Sequence, residues 1–417
     1  MRKTTFLFSM YGALVLLLCV PLTSQEPTFV EGQNNFSVEL YRQMKSKPGN
    51  LCISPYNVSL VLDMAYIGAA GKTKEEMAKT LFIPAMSDDT LCNAIKSQRQ
   101  FLKTSGLQKN NGTESFQSFT ALGLDTLFTP LPAYQEMIKK YFQADIFVCN
   151  FQNNQEESLN QINGWVKEKS GGTIPFLLGT NDLSKTTKLV LLAASHFKKA
   201  WASAFQKEEI EIAPFVTAAG NRVDVELMRK SELLPFLQTP EMMICELDYA
   251  KSEKEDAVYS CAIILPKIKE MFPLVGDSLT NAQIKKWLDN TALEQVELFL
   301  PKISLEYQSS LKEALENMGM QRAFSKEADF SGIAAETDPN LGLMIDKVLH
   351  RTFLQIDENG TEAAAATAAT MIMKAGAPTK DAVIMRCDHP FFIVIREKKT
   401  GLFLFFARVE APLVEVP

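Results

Sequence analysis

One stretch of this chain, residues 358–375, limits most strongly what the chain can fold into. It reads E-N-G-T-E-A-A-A-A-T-A-A-T-M-I-M-K-A and carries no charge between Glu362 and Lys374. With a period of two, small side chains fall on one face of a strand and are narrow enough to pass between two neighbouring strands. That face consists of Thr361, Ala363, Ala365, Thr367 and Ala369. Alanine also favours helix, so the run alone leaves an exposed helix or a linker as the alternative.

The flanks of this stretch favour the strand. Residues 349–357 alternate between two faces, with Leu354 and Ile356 on the aliphatic one, as a half-buried strand does. After the stretch come Gly376, Pro378 and an intensely apolar run over residues 391–395. The small-residue stretch therefore joins two predicted strands.

The remaining periodicity indicates an α+β fold with antiparallel sheets. We predict helices at 34–44, 133–142, 159–169, 282–287 and 308–318. Two further helices are predicted from their start signals: one begins at Pro55 with Ser54 as N-cap, and one begins with a capping box formed by Thr73 and Glu76. We predict strands at 116–128, 188–197, 242–247, 259–265, 297–300 and 402–409. A length of 417 residues alone would suggest two or three domains, but the chain contains no internal repeat or flexible linker.

Residues 1–24 have the pattern of a secretory signal peptide. Arg2 and Lys3 precede an apolar run, and the small residues Thr23 and Ser24 stand at the predicted cleavage site. No later stretch approaches the ~20 apolar residues of a membrane span. Cleavage leaves 41 of the 43 Lys+Arg residues against 49 Asp+Glu, a net charge of about −8. This acidic balance argues against nucleic acid as the main partner.

Six of the seven cysteines follow the predicted cleavage site, too few and too scattered for a disulfide scaffold. No cysteine or histidine spacing suggests zinc, so we expect no metal and no cofactor. Cys245 and Cys261 flank a charged turn and could face each other across a hairpin. Two buried free thiols are the alternative.

The chain offers little for catalysis. It has three histidines and no nucleophile elbow, zinc-protease motif, P-loop or dinucleotide motif. His350 begins an apolar strand and His389 precedes Pro390, so we interpret both as structural hydrogen-bonding residues. The sequence therefore predicts that the protein is not an enzyme.

A row of basic residues lies on the polar segment 85–115. It comprises Lys96, Arg99, Lys103 and Lys109. Such a row can bind a glycosaminoglycan, or it can simply be the solvated face of a helix.

Six ordered motifs resemble the serpin family over nearly the whole mature chain. They are I-S-P-Y-N-V-S-L-V-L-D-M-A-Y-I-G-A-A-G-K-T (53–73), I-N-G-W-V-K-E-K-S-G-G-T-I (162–174), H-F-K-K-A-W (196–201), L-P-K-I-S (300–304), L-H-R-T-F-L-Q-I-D-E-N-G-T-E-A-A-A-A-T-A-A (349–369) and D-H-P-F-F (388–392). The resemblance implies a single domain over residues 25–417, with three β-sheets and eight or nine helices.

The resemblance also implies a mechanism. Residues 358–375 would be an exposed reactive loop that a serine protease cleaves, after which the loop enters the largest sheet as a new strand and drags the acylated protease along. The implied hinge comprises Gly360, Thr361, Glu362, Ala363, Ala364, Ala365, Ala366 and Thr367. Its small residues resemble inhibitory members, whereas non-inhibitory members tend to carry bulky, charged or proline residues there.

The family's usual spacing from Glu358 places the scissile bond between Lys374 and Ala375. A lysine there fits trypsin-like proteases, whose primary pocket holds an aspartate. A register shift of one or two residues would place Met371 or Met373 at the bond and point to chymotrypsin-like targets.

Further positions carry over from the family motifs. Glu358 and Lys302 match an ion pair at the top of the main sheet, with Trp201 packed nearby. Ser54 and His350 match a polar cluster under the middle of that sheet.

Two departures from the family affect this middle cluster. Ala193 stands where the family usually has asparagine, and Asn57 replaces a usual serine. We hypothesise that Asn57 supplies the missing amide from the other side. Ala407 also stands where glycine is common.

The chain contains four N-x-S/T sequons. We predict glycans at Asn111 and Asn35, expect Asn57 to be buried, and interpret Asn359 as a chance match because a sugar there would hinder insertion.

Together these inferences predict a secreted, monomeric suicide inhibitor of trypsin-like proteases. A non-inhibitory carrier or storage serpin and an unrelated hydrolase are the alternatives.

Overall fold

The computed structural model describes residues 28–105, 116–251, 258–336, 341–361 and 382–412. Within these residues the chain forms nine α-helices and three sheets, which confirms the predicted α+β class and architecture. The predicted signal peptide, Lys109, Asn111 and residues 362–381 lie outside the described residues.

The helices mostly extend the predicted segments by a few residues at either end. They are α1 (Phe29–Met44), α2 (Pro55–Ile67), α3 (Gly71–Thr80), α4 (Asp88–Ser105), α5 (Pro132–Met137), α6 (Gln155–Lys169), α7 (Phe272–Ser278), α8 (Asn281–Asp289) and α9 (Lys312–Asn317). A π-helical turn, Ile138–Phe142, continues α5, and 3-10 turns occur at Lys207–Glu209, Lys269–Met271 and Arg322–Phe324.

The strands include the predicted ones, although the predicted strand 116–128 ends at Asp125, and they add unpredicted ones, among them the 17-residue strand Arg222–Gln238. They are β1 (Leu51–Ile53), β2 (Phe116–Asp125), β3 (Phe128–Pro130), β4 (Asp145–Cys149), β5 (Leu189–Phe197), β6 (Lys199–Ala200), β7 (Glu211–Val216), β8 (Arg222–Gln238), β9 (Met242–Asp248), β10 (Tyr259–Pro266), β11 (Ala292–Pro301), β12 (Ile303–Ser310), β13 (Ala334–Glu336), β14 (Ile345–Ile356), β15 (Gly360–Thr361), β16 (Val383–Arg386), β17 (Phe391–Glu397) and β18 (Phe403–Val409).

A seven-stranded sheet, here called the main sheet, carries the candidate site. Its order is β4-β2-β5-β14-β15-β6, with β12 also paired to β14. A nine-stranded sheet has the order β1-β18-β17-β10-β9-β8-β11-β16, with β7 paired to β8, and β13 pairs with β3 alone.

The middle of the main sheet is covered on both faces. Every residue of α2 is buried, as expected for a helix that is apolar all round, and α2 packs under β5. On the other face, α6 and the segment 174–183 form a second apolar cluster with β5. This double cover explains why β5 is buried at every position.

The predicted capping box at Thr73 and Glu76 is wrong. Helix α3 begins at Gly71, and the Thr73 hydroxyl accepts a hydrogen bond from the Asp329 N–H at 2.9 Å instead. Glu76 similarly accepts one from the Arg322 N–H at 2.7 Å. Both side chains are used for long-range contacts, which a local motif cannot reveal.

The predicted start of α2, with Ser54 as N-cap and Pro55 at the first helical position, is confirmed, although the Ser54 side chain makes no capping hydrogen bond. The predicted helix at 308–318 begins too early, because β12 continues to Ser310 along β14 and α9 starts at Lys312.

All six cysteines of the described residues are buried and free, so the interpretation of Cys245 and Cys261 as buried thiols is confirmed. No described helix combines the length and apolarity needed to cross a bilayer. The described part of the chain also contains no group of three or more potential metal ligands.

Candidate functional site

The main sheet is closed along most of its length and parted at one end. β5 and β14 pair directly in parallel between Ile345 and Phe353. Beyond that point β15 lies between β14 and β6 and pairs antiparallel with both, Thr361 opposing Ile356 on one side and Lys199 on the other. The first residues of the small-residue stretch therefore already occupy a strand position.

The expectation that the loop is exposed from Glu358 onward is wrong for its first residues. Glu358 and Thr361 are 7% and 0% exposed, and Gly360 is buried between them. They are buried because the parted end of the sheet pairs with them on both sides. The rest of the predicted hinge, from Glu362 to Thr367, and the predicted bond at Lys374 and Ala375 lie outside the described residues.

Gly360 is required by close packing of the backbone. A Cβ at this position would lie 2.3 Å from the Lys199 carbonyl oxygen and 2.6 Å from the Ala200 Cα. Both are main-chain atoms of β6, which cannot swing away as a side chain would. Only glycine lets the chain pass this close to β6.

The predicted ion pair between Lys302 and Glu358 is present. Lys302 Nζ lies 3.2 Å from Glu358 Oε2 and 3.2 Å from Glu226 Oε1, and Lys207 Nζ lies 3.4 Å from Glu358 Oε1. Burial alone would raise the pKa of Glu358, but hydrogen bonds from the backbone and from Lys302 outweigh it and hold that pKa below its usual value. The carboxylate stays charged and anchors the chain where the stretch enters the sheet.

Trp201 holds the turn that leads into β15. Its indole Nε1–H donates to the Asp357 carbonyl at 3.0 Å, and its backbone N–H donates to the Asn359 carbonyl at 2.9 Å. Its ring stacks on Tyr249 with centroids 4.5 Å apart. The sequence placed Trp201 near the ion pair, and the structure adds that it bonds the turn directly.

Sequence reasoning missed Tyr249. Its hydroxyl lies 2.6 Å from Thr361 Oγ1, and both side chains are fully buried. The two residues are 112 positions apart, and Tyr249 lies outside every motif that we used. No local pattern in the sequence signals this contact.

The predicted polar cluster lies under the middle of the main sheet, below the closed part. His350 Nε2 accepts from the Ser54 N–H at 3.0 Å, and His350 Nδ1 lies 3.2 Å from the Ala193 carbonyl oxygen. A neutral imidazole protonated on Nδ1 satisfies both contacts. His350 thus links α2 to both strands that meet at the centre of the sheet.

Asn57 reaches the same cluster from α2. Its Nδ2 donates to the Ala194 carbonyl oxygen at 2.8 Å, and its Oδ1 accepts from the Ser118 hydroxyl at 2.5 Å. One side-chain amide therefore ties β5 and β2 to the helix below. This geometry is what the hypothesis about Asn57 and Ala193 requires.

Asn57→Ser is expected to lower the free energy of unfolding by about 1–3 kcal/mol, because a serine cannot reach both partners and leaves buried polar atoms unpaired. Chemical denaturation measures the change. Adding Ala193→Asn should restore part of the loss, since this double variant recreates the family's usual pair. Unchanged stability in Asn57→Ser, or no recovery in the double variant, would contradict the exchange of roles.

Acidification is expected to destabilise the fold through His350. Burial lowers its pKa to about 4, despite the hydrogen bond to the Ala193 carbonyl, which favours the protonated form. The unfolded chain takes up a proton near pH 6.5 and the folded chain does not, so this contribution to stability is lost as pH falls from 6.5 toward 4. The loss should reach about 2 kcal/mol at pH 5.

His389 provides the opposite control for this pH effect. Its ring lies 2.9 Å from Asp388 Oδ1 and 2.7 Å from the Pro266 carbonyl oxygen, so it is hydrogen-bonded as the sequence suggested. Burial would lower its pKa, but the bonds to Asp388 and Pro266 outweigh burial and raise it. Unfolding midpoints at pH 7 and pH 5 should therefore differ less in His350→Gln than in the wild type, and more in His389→Gln. The reverse order would disprove the assignment.

The structure supports one prediction about the glycosylation sequons and argues against another. Asn57 is fully buried, as expected for an unused sequon. Asn35 lies within α1, its Oδ1 accepts from Asn281 Nδ2 at 3.1 Å, and Ser37 of its sequon is buried. This packing does not favour a glycan at Asn35.

The basic row does not form one continuous face on α4. Lys96 and Lys103 are exposed, whereas Arg99 is half-buried and its guanidinium faces the Tyr56 hydroxyl. The described part of the row therefore presents two exposed cations, Lys96 and Lys103, rather than a stripe for a sulfated sugar.

Comparison with known proteins gives a consistent picture. The profile of the family described as Serpin (serine protease inhibitor) matches residues 31–412. A serpin-like protein of Thermococcus kodakarensis is 33% identical over 388 residues, which cover 93% of this chain and 87% of that protein. The leukocyte elastase inhibitor of Xenopus laevis is 32% identical over 398 residues, covering 91% and 98%. The native structure of the thermophilic serpin tengpin matches with a TM-score of 0.81 at 28% identity, covering 92% of this chain and 94% of that chain.

Proposed function

Because this chain belongs to the serpin family, we propose that it is a suicide inhibitor of trypsin-like serine proteases. The observation that carries this proposal is the parted end of the main sheet, where Gly360 and Thr361 already lie in a strand position. Cleavage between Lys374 and Ala375 frees the rest of the stretch to follow them. The acylated protease is then carried along and distorted before it can complete hydrolysis.

The register at Thr361 defines where the inserted strand goes. Thr361 opposes Ile356 and Lys199, and antiparallel growth moves down both neighbouring strands in step. Continued pairing places Ala363 between Leu354 and Phe197, Ala365 between Thr352 and Ser195, and Thr367 between His350 and Ala193. Two of these levels, Thr352 with Ser195 and His350 with Ala193, are existing pairs of β14 and β5, so the sheet has only to part there without slipping.

This register explains the choice of residues in the stretch. Thr361 faces the core beside Ile356, so Ala363, Ala365 and Thr367 would face the core as well. Small side chains there fit under a sheet that is tightly backed by α2. The small-residue face predicted from the sequence is therefore the face that must be narrow.

Thr367 arrives where a polar partner is needed. Parting β5 from β14 separates His350 from the Ala193 carbonyl. The buried Ser54 hydroxyl next to His350 has no hydrogen-bond partner among the described residues. The Thr367 hydroxyl would enter this cluster and replace the lost bond.

Target choice follows from the residue at the bond. Lys374 supports a trypsin-like target, while the Xenopus relative is named for leukocyte elastase. A bond shifted to Met371 or Met373 would favour chymotrypsin-like enzymes. The non-inhibitory carrier remains the second candidate, and the small hinge residues argue against it.

The remaining features of the proposal come from the sequence. Residues 1–24 would direct secretion, leaving residues 25–417 as one monomeric domain, with Asn111 as the preferred glycan site. The protein would need no cofactor or metal, and a glycosaminoglycan would be at most a weak partner.

The decisive experiment mixes the purified protein with trypsin and resolves the products on a denaturing gel. We expect a detergent-stable complex and, by mass spectrometry, a released peptide that begins at Ala375. Cleavage without a complex, with chymotrypsin as well as trypsin, would favour the non-inhibitory alternative.

A further inference from the structure

Tyr249 follows β9 directly and is held rigidly at the parted end of the main sheet. Its ring stacks on Trp201 at 4.5 Å and 15° and packs edge-on against Phe197 at 4.8 Å. An isolated backbone bridge to Trp201 fixes its main chain. With ring and backbone both held, the hydroxyl is fixed in position, 2.6 Å from Thr361 Oγ1.

We propose that Tyr249 is a positioning residue for loop insertion, which binds the Thr361 hydroxyl and thereby sets the register in which the new strand grows. This inference rests on the proposed inhibitory function and deepens it. Because Tyr249 is fully buried, it acts through Thr361 rather than on the protease.

The register of the inserted strand must be set by a contact outside the stretch, because the sequence of the stretch specifies register poorly. Residues 363–366 are all alanine, so both faces of the growing strand look the same to the sheet. A strand whose two faces are alike slips easily, and a slip of one residue exchanges the faces. Here a slip would turn the Glu362 carboxylate toward the core and Thr361 away from it.

Side chains in the described part of β15 carry little register information. Within the part of the chain that the structure describes, the paired residues of the stretch are Gly360 and Thr361, and Gly360 offers no side chain. The hydroxyl of Thr361 is therefore the first group in the stretch that can distinguish the two faces. Its direct cross-strand neighbours are Ile356 and the buried Lys199, and the Tyr249 hydroxyl lies within hydrogen-bond distance of it on the core side.

The Tyr249 hydroxyl has the chemistry for this role. Burial raises the pKa of Tyr249 well above its usual value, and the nearby Cys261 thiol, which also bonds the hydroxyl, raises it further. The group therefore stays neutral and keeps its proton at physiological pH. It can donate or accept toward Thr361 in either arrangement.

Tyr249→Phe tests the inference because it keeps the ring stack and removes one oxygen. The matched control is Tyr259→Phe, since Tyr259 is also fully buried and its hydroxyl donates to the Leu102 carbonyl at 2.9 Å, away from Thr361. The first readout is amide hydrogen exchange of the protein without protease. It reports on the backbone N–H groups of Trp201 and Asp357, which donate to the carbonyl oxygens of Asn359 and Gly360, respectively. We expect their exchange to quicken about threefold to tenfold in Tyr249→Phe and not in the control.

The second readout is the stoichiometry of inhibition of trypsin. It should rise about threefold to tenfold in Tyr249→Phe relative to Tyr259→Phe, as expected for loss of one buried hydrogen bond. Thr361→Val should behave like Tyr249→Phe, the two together should do no more than either alone, and Thr361→Ser should keep wild-type behaviour. If the role of Tyr249 were purely structural, Thr361→Val would not reproduce the effect of Tyr249→Phe, and the effects of the two changes would add.

The outcomes separate the two proposals. If Tyr249→Phe matches Tyr259→Phe in exchange and stoichiometry, the positioning role is overturned while inhibition stands. If the wild type traps neither trypsin nor chymotrypsin but exchange responds as expected, inhibition fails and the contact still seats Thr361.

Discussion

Thr361→Arg is expected to turn this protein from an inhibitor of trypsin-like proteases into a substrate. Thr361 is fully buried on the core side, between Ile356 and Lys199. An arginine there would bury a second cation beside Lys199, whose pKa burial already lowers. An unpaired buried charge costs several kcal/mol, so the hinge cannot enter the sheet and hydrolysis of the acyl-enzyme wins. The stoichiometry of inhibition should rise at least about tenfold, since about 1.4 kcal/mol already changes such a partition tenfold.

The neighbouring residue supplies a matched control. With a period of two, Glu362 belongs to the opposite face of the inserted strand, so Glu362→Arg should leave the stoichiometry close to that of the wild type. Thermal unfolding after loop cleavage gives a second measurement. Cleaved wild type should gain stability from the added strand, and cleaved Thr361→Arg should not. A wild-type stoichiometry of inhibition in Thr361→Arg would contradict the insertion mechanism.

The parts of the fold that the sequence predicted well are those with strong local periodicity. The alternation over residues 349–357 correctly placed Leu354 and Ile356 inward, because one face of β14 is fully buried. The apolar run that became β5 was recognised because both of its faces are covered. Such periodic patterns reflect which faces of a strand are buried, and the position of the strand in the sheet determines those faces.

The errors arose where distant residues competed for the same atoms. Thr73 and Glu76 have the right spacing for a capping box, yet both bind the backbone of the segment 322–329. Local propensity loses where a tertiary partner offers a better hydrogen bond. Ser54 is a different case, since it stands at the predicted N-cap but its hydroxyl caps nothing and has no hydrogen-bond partner among the described residues.

The candidate site likewise contains contacts that the sequence predicted and contacts that it did not. Its ion pair, Lys302 with Glu358, was accessible through the family motifs and is present. The early burial of Thr361 and its contact with Tyr249 were not, because they depend on where the sheet parts. A motif can name the residues of the stretch, but only the register of β15 shows that Gly360 and Thr361 are already paired within the main sheet.

Lys374→Glu is expected to abolish inhibition of trypsin-like proteases while leaving the fold intact. The primary pocket of such enzymes holds an aspartate that pairs with the lysine ammonium. Placing a carboxylate opposite that aspartate replaces an attraction with a repulsion worth several kcal/mol. The rate constant for complex formation with trypsin should fall about 1,000-fold or more, measured by loss of protease activity over time.

Lys380→Glu is the control for this change, because it makes the same charge change in the same loop, six residues beyond Lys374. It should retain most of the wild-type rate if charge at the bond, rather than overall loop charge, governs recognition. Lys374→Met separates the remaining alternatives, since it should redirect inhibition from trypsin to chymotrypsin. Full trypsin inhibition by Lys374→Glu would move the scissile bond away from Lys374. A released peptide beginning after Met371 or Met373 would then identify the true register and the class of protease that the loop serves.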